Sequence, residues 1–162
     1  MFEVKTHQDV QENYQALYTA IQAHLEGETD LVANLANISA FLFSSLAGLN
    51  WAGFYIMKNG GLVLGPFCGK PACTRIALGS GVCGTAAVER RVIVVPDVHA
   101  FEGHIACDGD TKSEIVLPLY KGGEVFGVLD IDSPILDRFS ELDEDYLTKI
   151  VACISGALDK LS

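Results

Sequence analysis

Basic residues are scarce in this 162-residue chain: 11 lysines and arginines stand against 21 aspartates and glutamates, a formal net charge of −10. Nucleic acid and anionic lipid both reward positive charge, so this balance argues against either as a partner. The N-terminus, MFEVKTHQDV, lacks the basic start and apolar run of a secretory signal. Residues 31–57 carry no charge and are long enough to cross a bilayer. Asn34, Asn37, Ser39, Ser44, Ser45 and Asn50 interrupt that stretch and Gly48 reads as a helix stop. It is better read as a buried helix followed by a strand. There is no internal repeat, no low-complexity run and no long linker, so the expectation is one domain over residues 1–162. The glycine-rich run LGSGVCG lacks the Lys-Ser/Thr ending of a phosphate loop.

Five cysteines are present, at 68, 73, 83, 107 and 153. Their odd number and the absent export signal argue against a disulfide framework and for a cytoplasmic chain using thiols in chemistry or metal binding. Four of the five fall within forty positions. No C-x-x-C occurs, so a zinc site built from His99, His104 and Cys107 with Cys73 or Cys83 has the right residue types but not the spacing. Cys68 and Cys153 read as small apolar residues.

What is present is a hydrophobic pattern that changes period. Apolar residues are 49% of the chain, enough for a core without cross-links. Tyr14, Leu17, Tyr18, Ile21 and Leu25 recur at helical spacing up to Gly27, and Leu31, Leu35, Ile38, Leu42 and Leu46 form a second stripe. Two apolar runs, 51–57 and 62–67, flank Lys58-Asn59-Gly60-Gly61, a hairpin signal. Residues 92–95 predict a further strand, and 115–119 with 125–132 a second hairpin across Gly122-Gly123. Ser140 and Asp143 resemble a capping box before a C-terminal helix. Helices at both ends around antiparallel hairpins predict an α+β layered domain.

The second hairpin places carboxylates. Asp130 and Asp132 share one strand face. A two-residue Gly-Gly turn would set Glu114 opposite Ile131, on the other face. A three-residue loop, Lys121–Gly123, would set it opposite Asp130. The second register segregates Ile115, Leu117, Leu119, Val125, Leu129 and Ile131 from Glu114, Glu124, Asp130 and Asp132, and is preferred for that reason. Val116, Phe126 and Val128 would then partly cover the acidic face. Trp51 and Tyr55 share a strand face too; taken alone they read as core.

Segment 64–87, rich in glycine and proline, reads as a structured loop entering a short helix near Val82, and 96–119 as a second long loop feeding a strand; loops of this length in a compact domain usually carry function. Their residues PFCGKPACTRI, GVCGTA, DVHAFEGHIACD and SEIVLPL, followed by GVLDIDS, resemble the free methionine-(R)-sulfoxide reductase family over nearly the whole chain. The resemblance implies a GAF fold, with end helices packed on one face of an antiparallel sheet and a loop-built pocket on the other. It implies reduction of free L-methionine-(R)-sulfoxide with no cofactor, Cys107 as catalytic cysteine, Cys73 as the resolving cysteine and Cys83 as a further member of the disulfide relay. Glu114, Asp130 and Asp132 match acidic pocket residues, with Glu114 also acting in catalysis. Trp51 and Tyr55 match pocket aromatics, Trp51 facing the S-methyl group. Thioredoxin as reductant and a homodimer fit the same resemblance. Cys68 departs from the family pattern and, five residues before Cys73, offers an alternative disulfide partner. The competing class is a non-catalytic GAF sensor module that binds a small ligand; it would have no need of cysteines at these positions.

Overall fold

The computed structural model describes residues 9–105 and 107–161. The chain order is α1 (Val10–Gly27), α2 (Leu31–Ser45), β1 (Trp51–Lys58), β2 (Gly61–Gly69), β3 (Arg75–Ala77), α3 (Gly81–Glu89), β4 (Ile93–Val95), β5 (Ser113–Lys121), β6 (Glu124–Ser133) and α4 (Glu141–Asp159). The six strands form one antiparallel sheet in the order β3-β2-β1-β6-β5-β4.

The helix starts follow local chemistry. Asp9 and Asp30 accept hydrogen bonds from Glu12 N and Ala33 N, satisfying donors that the first helical turn leaves free. At α4, Ser140 and Asp143 complete a capping box in both directions. Asp143 also accepts from Tyr14 Oη at 2.5 Å and from Arg138 Nη1 at 3.0 Å, tying α1 to the start of α4.

Two apolar layers divide the sheet faces. On one, α1, α2 and α4 bury Leu17, Ile21, Ile38, Leu42, Leu147 and Ile150 against Phe54, Ile115, Leu117, Leu129 and Ile131. On the other, α3 and the long loops cover Trp51, Tyr55, Val116 and Val128. Strand alternation assigns these sets: residues two apart on one strand meet the same layer.

The β5–β6 hairpin departs from the expected register. Its turn is the two-residue one, with Gly122 and Gly123 both at positive φ and Lys121 opposite Glu124. A shift between Leu119 and Tyr120 skips Phe126, a bulge that adds one residue to β6. Beyond it Glu114 faces Asp132, rather than Asp130 as expected, and Val116 faces Asp130. The bulge restores the parity a tight turn alone would break, so the three carboxylates still share a face. It also swaps two neighbours: Phe126 packs towards the helical layer and Val125 towards α3, opposite to their expected faces.

Candidate active site

On the α3 face a cavity opens between the sheet and the two long loops. Its lining includes Trp51, Tyr55, Cys83, Cys107, Glu114, Asp130 and Asp132, which is every site residue implied by the resemblance except Cys73. Cys73 is bonded to a lining residue: Cys73 and Cys107 form a disulfide across 34 positions, with Cα atoms 5.5 Å apart. Cys68 is free, so the alternative Cys68–Cys73 pairing is not the one formed. Cys153 is half-buried in α4, not buried as a helix-interior thiol would be.

The sheet supplies the floor. Glu114 comes from β5, Asp130 and Asp132 from β6, and all three are buried. Burial in an apolar surround opposes the charged form, and each carboxylate opposes ionisation of its neighbours. All three carboxyl groups are consequently pushed well above the ordinary range, burial being the largest cause. They lie in hydrogen-bond contact with one another, an arrangement that retains protons. Asp130 Oδ1 and Asp132 Oδ1 are buried with no hydrogen-bond partner among the described residues. Cys83, in the first turn of α3, points at the same cluster; burial first, then Asp130, push its thiol well up.

Aromatic residues on β1 and β2 form one wall. Trp51 stacks between Tyr55, centroids 5.9 Å apart, and Phe67, 5.1 Å apart. Its Nε1 donates to Lys70 O at 3.2 Å, and Tyr55 Oη donates to Cys73 O at 2.9 Å. These two bonds anchor the loop that carries Cys73. Burial, then the carboxylates, raise the Tyr55 pKa, so the phenol stays a donor.

The Cys107 loop is held from the other side by residues that sequence reading did not single out. Asn50 Nδ2 donates to Asp108 Oδ2 at 3.0 Å and to Thr111 Oγ1 at 2.9 Å, while Asn50 N donates to Asp132 O at 3.0 Å. Lys70 and Asp110 pair at 2.7 Å across the two loops on the exposed surface, a contact that contributes little energy by itself. These contacts to the Cys107 loop join residues 40 to 61 positions apart, and no local pattern encodes them. The short helix expected near Val82 is α3, and Ser80, Gly81 and Val82 at its start line the cavity.

His104 also lines the cavity, and burial lowers its pKa, which favours the neutral ring. His99 is exposed and pairs with Asp97 instead. The sequence-level zinc set of His99, His104 and cysteine is therefore not assembled.

A disulfide-forming cysteine pair over buried acids, on a helix-backed antiparallel sheet, defines a thiol-redox site in a GAF-type domain. A GAF domain family model matches residues 32–159. The chain is 50% identical to free methionine-R-sulfoxide reductase of Escherichia coli over 91% of its length and 89% of the relative's. It is 45% identical to the Saccharomyces cerevisiae protein of that name over 80% and 77%. A solved structure from Neisseria meningitidis, a free methionine-R-sulfoxide reductase in complex with its substrate, superposes with a TM-score of 0.94 at 40% identity, covering 98% of this chain and 96% of that one. The chain belongs to the free methionine-R-sulfoxide reductase family of GAF proteins. Among the described residues no helix is long and apolar enough to cross a membrane.

Proposed function

We propose that this protein reduces free L-methionine-(R)-sulfoxide to methionine, with Cys107 as the nucleophile and Cys73 as the resolving thiol. The observation that carries this reading is the Cys73–Cys107 disulfide over a cavity floored by Glu114, Asp130 and Asp132. The disulfide corresponds to the end state of one turnover.

The Cys107 thiolate attacks the sulfoxide sulfur to form a sulfur–sulfur bond, while the sulfoxide oxygen takes up two protons, one of them from Glu114, and leaves as water. A water molecule then attacks the Cys107 sulfur, the sulfur–sulfur bond breaks with its electron pair going to the departing methionine, a proton is released, and Cys107 is left as a sulfenic acid. The Cys73 thiol then attacks that sulfur and expels water, closing the disulfide. An external dithiol of the thioredoxin type takes up the oxidation and returns both thiols. Such a cycle belongs in a reducing compartment such as the cytoplasm.

Glu114 is the proton donor to the sulfoxide oxygen. Its raised pKa keeps the proton available at neutral pH, as in other sites where a buried carboxyl must donate. The same burial eases a conflict. Three ionised carboxylates beside Cys107 would suppress its thiolate; a cluster that shares protons does so less. Asp130 and Asp132 bind the substrate ammonium, which a residue within a peptide does not carry. Trp51 packs on the S-methyl group and Tyr55 holds the Cys73 loop.

The test is methionine release from free methionine-(R)-sulfoxide with dithiothreitol. Cys107→Ser abolishes release, while Cys73→Ser gives one turnover without efficient recycling by thioredoxin. Retained activity in Cys107→Ser assigns the nucleophile elsewhere. Equal rates with the S-epimer or with a peptide-bound sulfoxide contradict the pocket assignment.

A further inference from the structure

One group at the cavity floor has no part in the two-cysteine cycle above. Cys83 Sγ, a Glu114 carboxylate oxygen and an Asp130 carboxylate oxygen all lie within 4.8 Å of one another, and all three residues are buried. Asp130 is 6% exposed and its Oδ1 has no hydrogen-bond partner among the described residues; Asp132, 9% exposed, leaves its own Oδ1 without one. A buried carboxylate oxygen with no donor costs free energy unless a proton or a cation meets it. Here two such oxygens line the same cavity as a thiol.

We propose that this floor is a binding site for a thiophilic divalent cation, Zn²⁺ being the probe, held by Cys83 Sγ, Glu114 and Asp130 with an open fourth position towards the cavity.

Bond lengths of about 2.3 Å to sulfur and about 2.0–2.2 Å to carboxylate oxygen put the donors of a tetrahedral zinc roughly 3.3–3.8 Å apart. Three donors within 4.8 Å reach that spacing by contracting about 1 Å. Glu114 and Asp130 come from the neighbouring strands β5 and β6 and Cys83 from the first turn of α3, so the three donors converge from three elements. The cation replaces the Cys83 thiol proton and the protons shared by the carboxyls, and these pass to solvent. Hard cations that take only oxygen have no use for the sulfur, which selects a zinc-like ion over magnesium or calcium. Three protein ligands with a fourth position open is also the arrangement that leaves a metal accessible to small molecules. The cation would occupy the space assigned above to the substrate ammonium. That competition rests on the proposed function; the cation site does not.

The experiment uses the full chain in its oxidised form. The Cys73–Cys107 bond then removes both sulfurs as rival ligands, and no turnover is involved. Zn²⁺ is titrated against a chromophoric chelator, and Co²⁺ supplies a spectrum. The expected result is one Zn²⁺ per chain, with a thiolate-to-cobalt charge-transfer band and tetrahedral cobalt absorption. Cys83→Ala removes the band and weakens Zn²⁺ by about a hundredfold or more, and Asp130→Asn weakens it by at least about tenfold, since losing a ligand costs no less than the about 10–100-fold lost with a ligand's own hydrogen-bond partner. Cys68→Ser, Cys153→Ser and His104→Gln retain both signals. Circular dichroism checks that each variant is folded, and Asp130→Asn serves if Cys83→Ala is not. No binding in the oxidised protein, or a site that survives both Cys83→Ala and Asp130→Asn, overturns the proposal. Failure of methionine release would leave this outcome unchanged, so the two readings are tested separately.

Discussion

Replacing Glu114 by Gln separates proton transfer from hydrogen bonding at the cavity floor. Glutamine keeps the shape and an N–H donor, but cannot deliver a proton. Glu114 is buried opposite Asp132 on the neighbouring strand, where burial first, then Asp130, push its carboxyl well above the ordinary range. A positioned general acid contributes about 10²–10⁴-fold, or about 3–5 kcal/mol of barrier. Because the amide retains a donor, the loss in kcat should fall near the lower end, about 10²-fold, with KM little changed. The pH profile carries the stronger test. The acid must be protonated to act, so wild-type activity falls as pH rises through the raised pKa. That basic limb should flatten in Glu114→Gln. Its apparent pKa belongs to the coupled cluster of Glu114, Asp130 and Asp132 rather than to one residue. The assay is steady-state methionine release with saturating dithiothreitol across pH. An unchanged kcat with an unchanged basic limb would refute the proton-donor role; a change confined to KM would make Glu114 a ground-state contact.

Folding stability should decline as pH rises. The folded chain holds protons on the acidic cluster that the unfolded chain releases near pH 4, so the native state binds more protons above that range. Asp130→Asn and Asp132→Asn should flatten the slope in thermal melts run across pH, and slopes parallel to wild type would contradict the raised pKa values. Asp143→Ala should cost about 3–5 kcal/mol, because Arg138 and Tyr14 lose a buried acceptor and α4 loses its cap; urea unfolding measures it, and a loss below about 1 kcal/mol would place the network among surface pairs. Gly127→Ala should destabilise by about 1–3 kcal/mol or more, since a Cβ there would stand 2.2 Å from Tyr55 O and press on the strand that carries the aromatic wall. A melting temperature equal to wild type would show that β1 and β6 can separate without cost.

Much of the fold was legible because its signals are local. The α1 stripe ends at Gly27, and α4 follows its Ser140–Asp143 cap, as their periodicity and capping residues indicate. Asn59-Gly60 makes the first hairpin turn, both residues at positive φ. The motif segments placed seven of the eight candidate residues on one cavity and the eighth in a disulfide with one of them. The β5–β6 hairpin was only half legible. Face segregation called for the carboxylates on one side, and they are there. It could not distinguish a longer loop from a tight turn followed by a bulge, because both restore the same parity.

Residue types, periods and caps thus determined by sequence alone that helices enclose an antiparallel sheet, and that thiols and acids are available on its loops and strands. Tertiary structure decided which thiol meets Cys107, because pairing across 34 positions depends on how two loops are held by Tyr55, Trp51 and Asn50. It also decided the protonation of the acids. A carboxyl group has an ordinary pKa in an unfolded chain; only burial against its neighbours makes Glu114 a reservoir of protons.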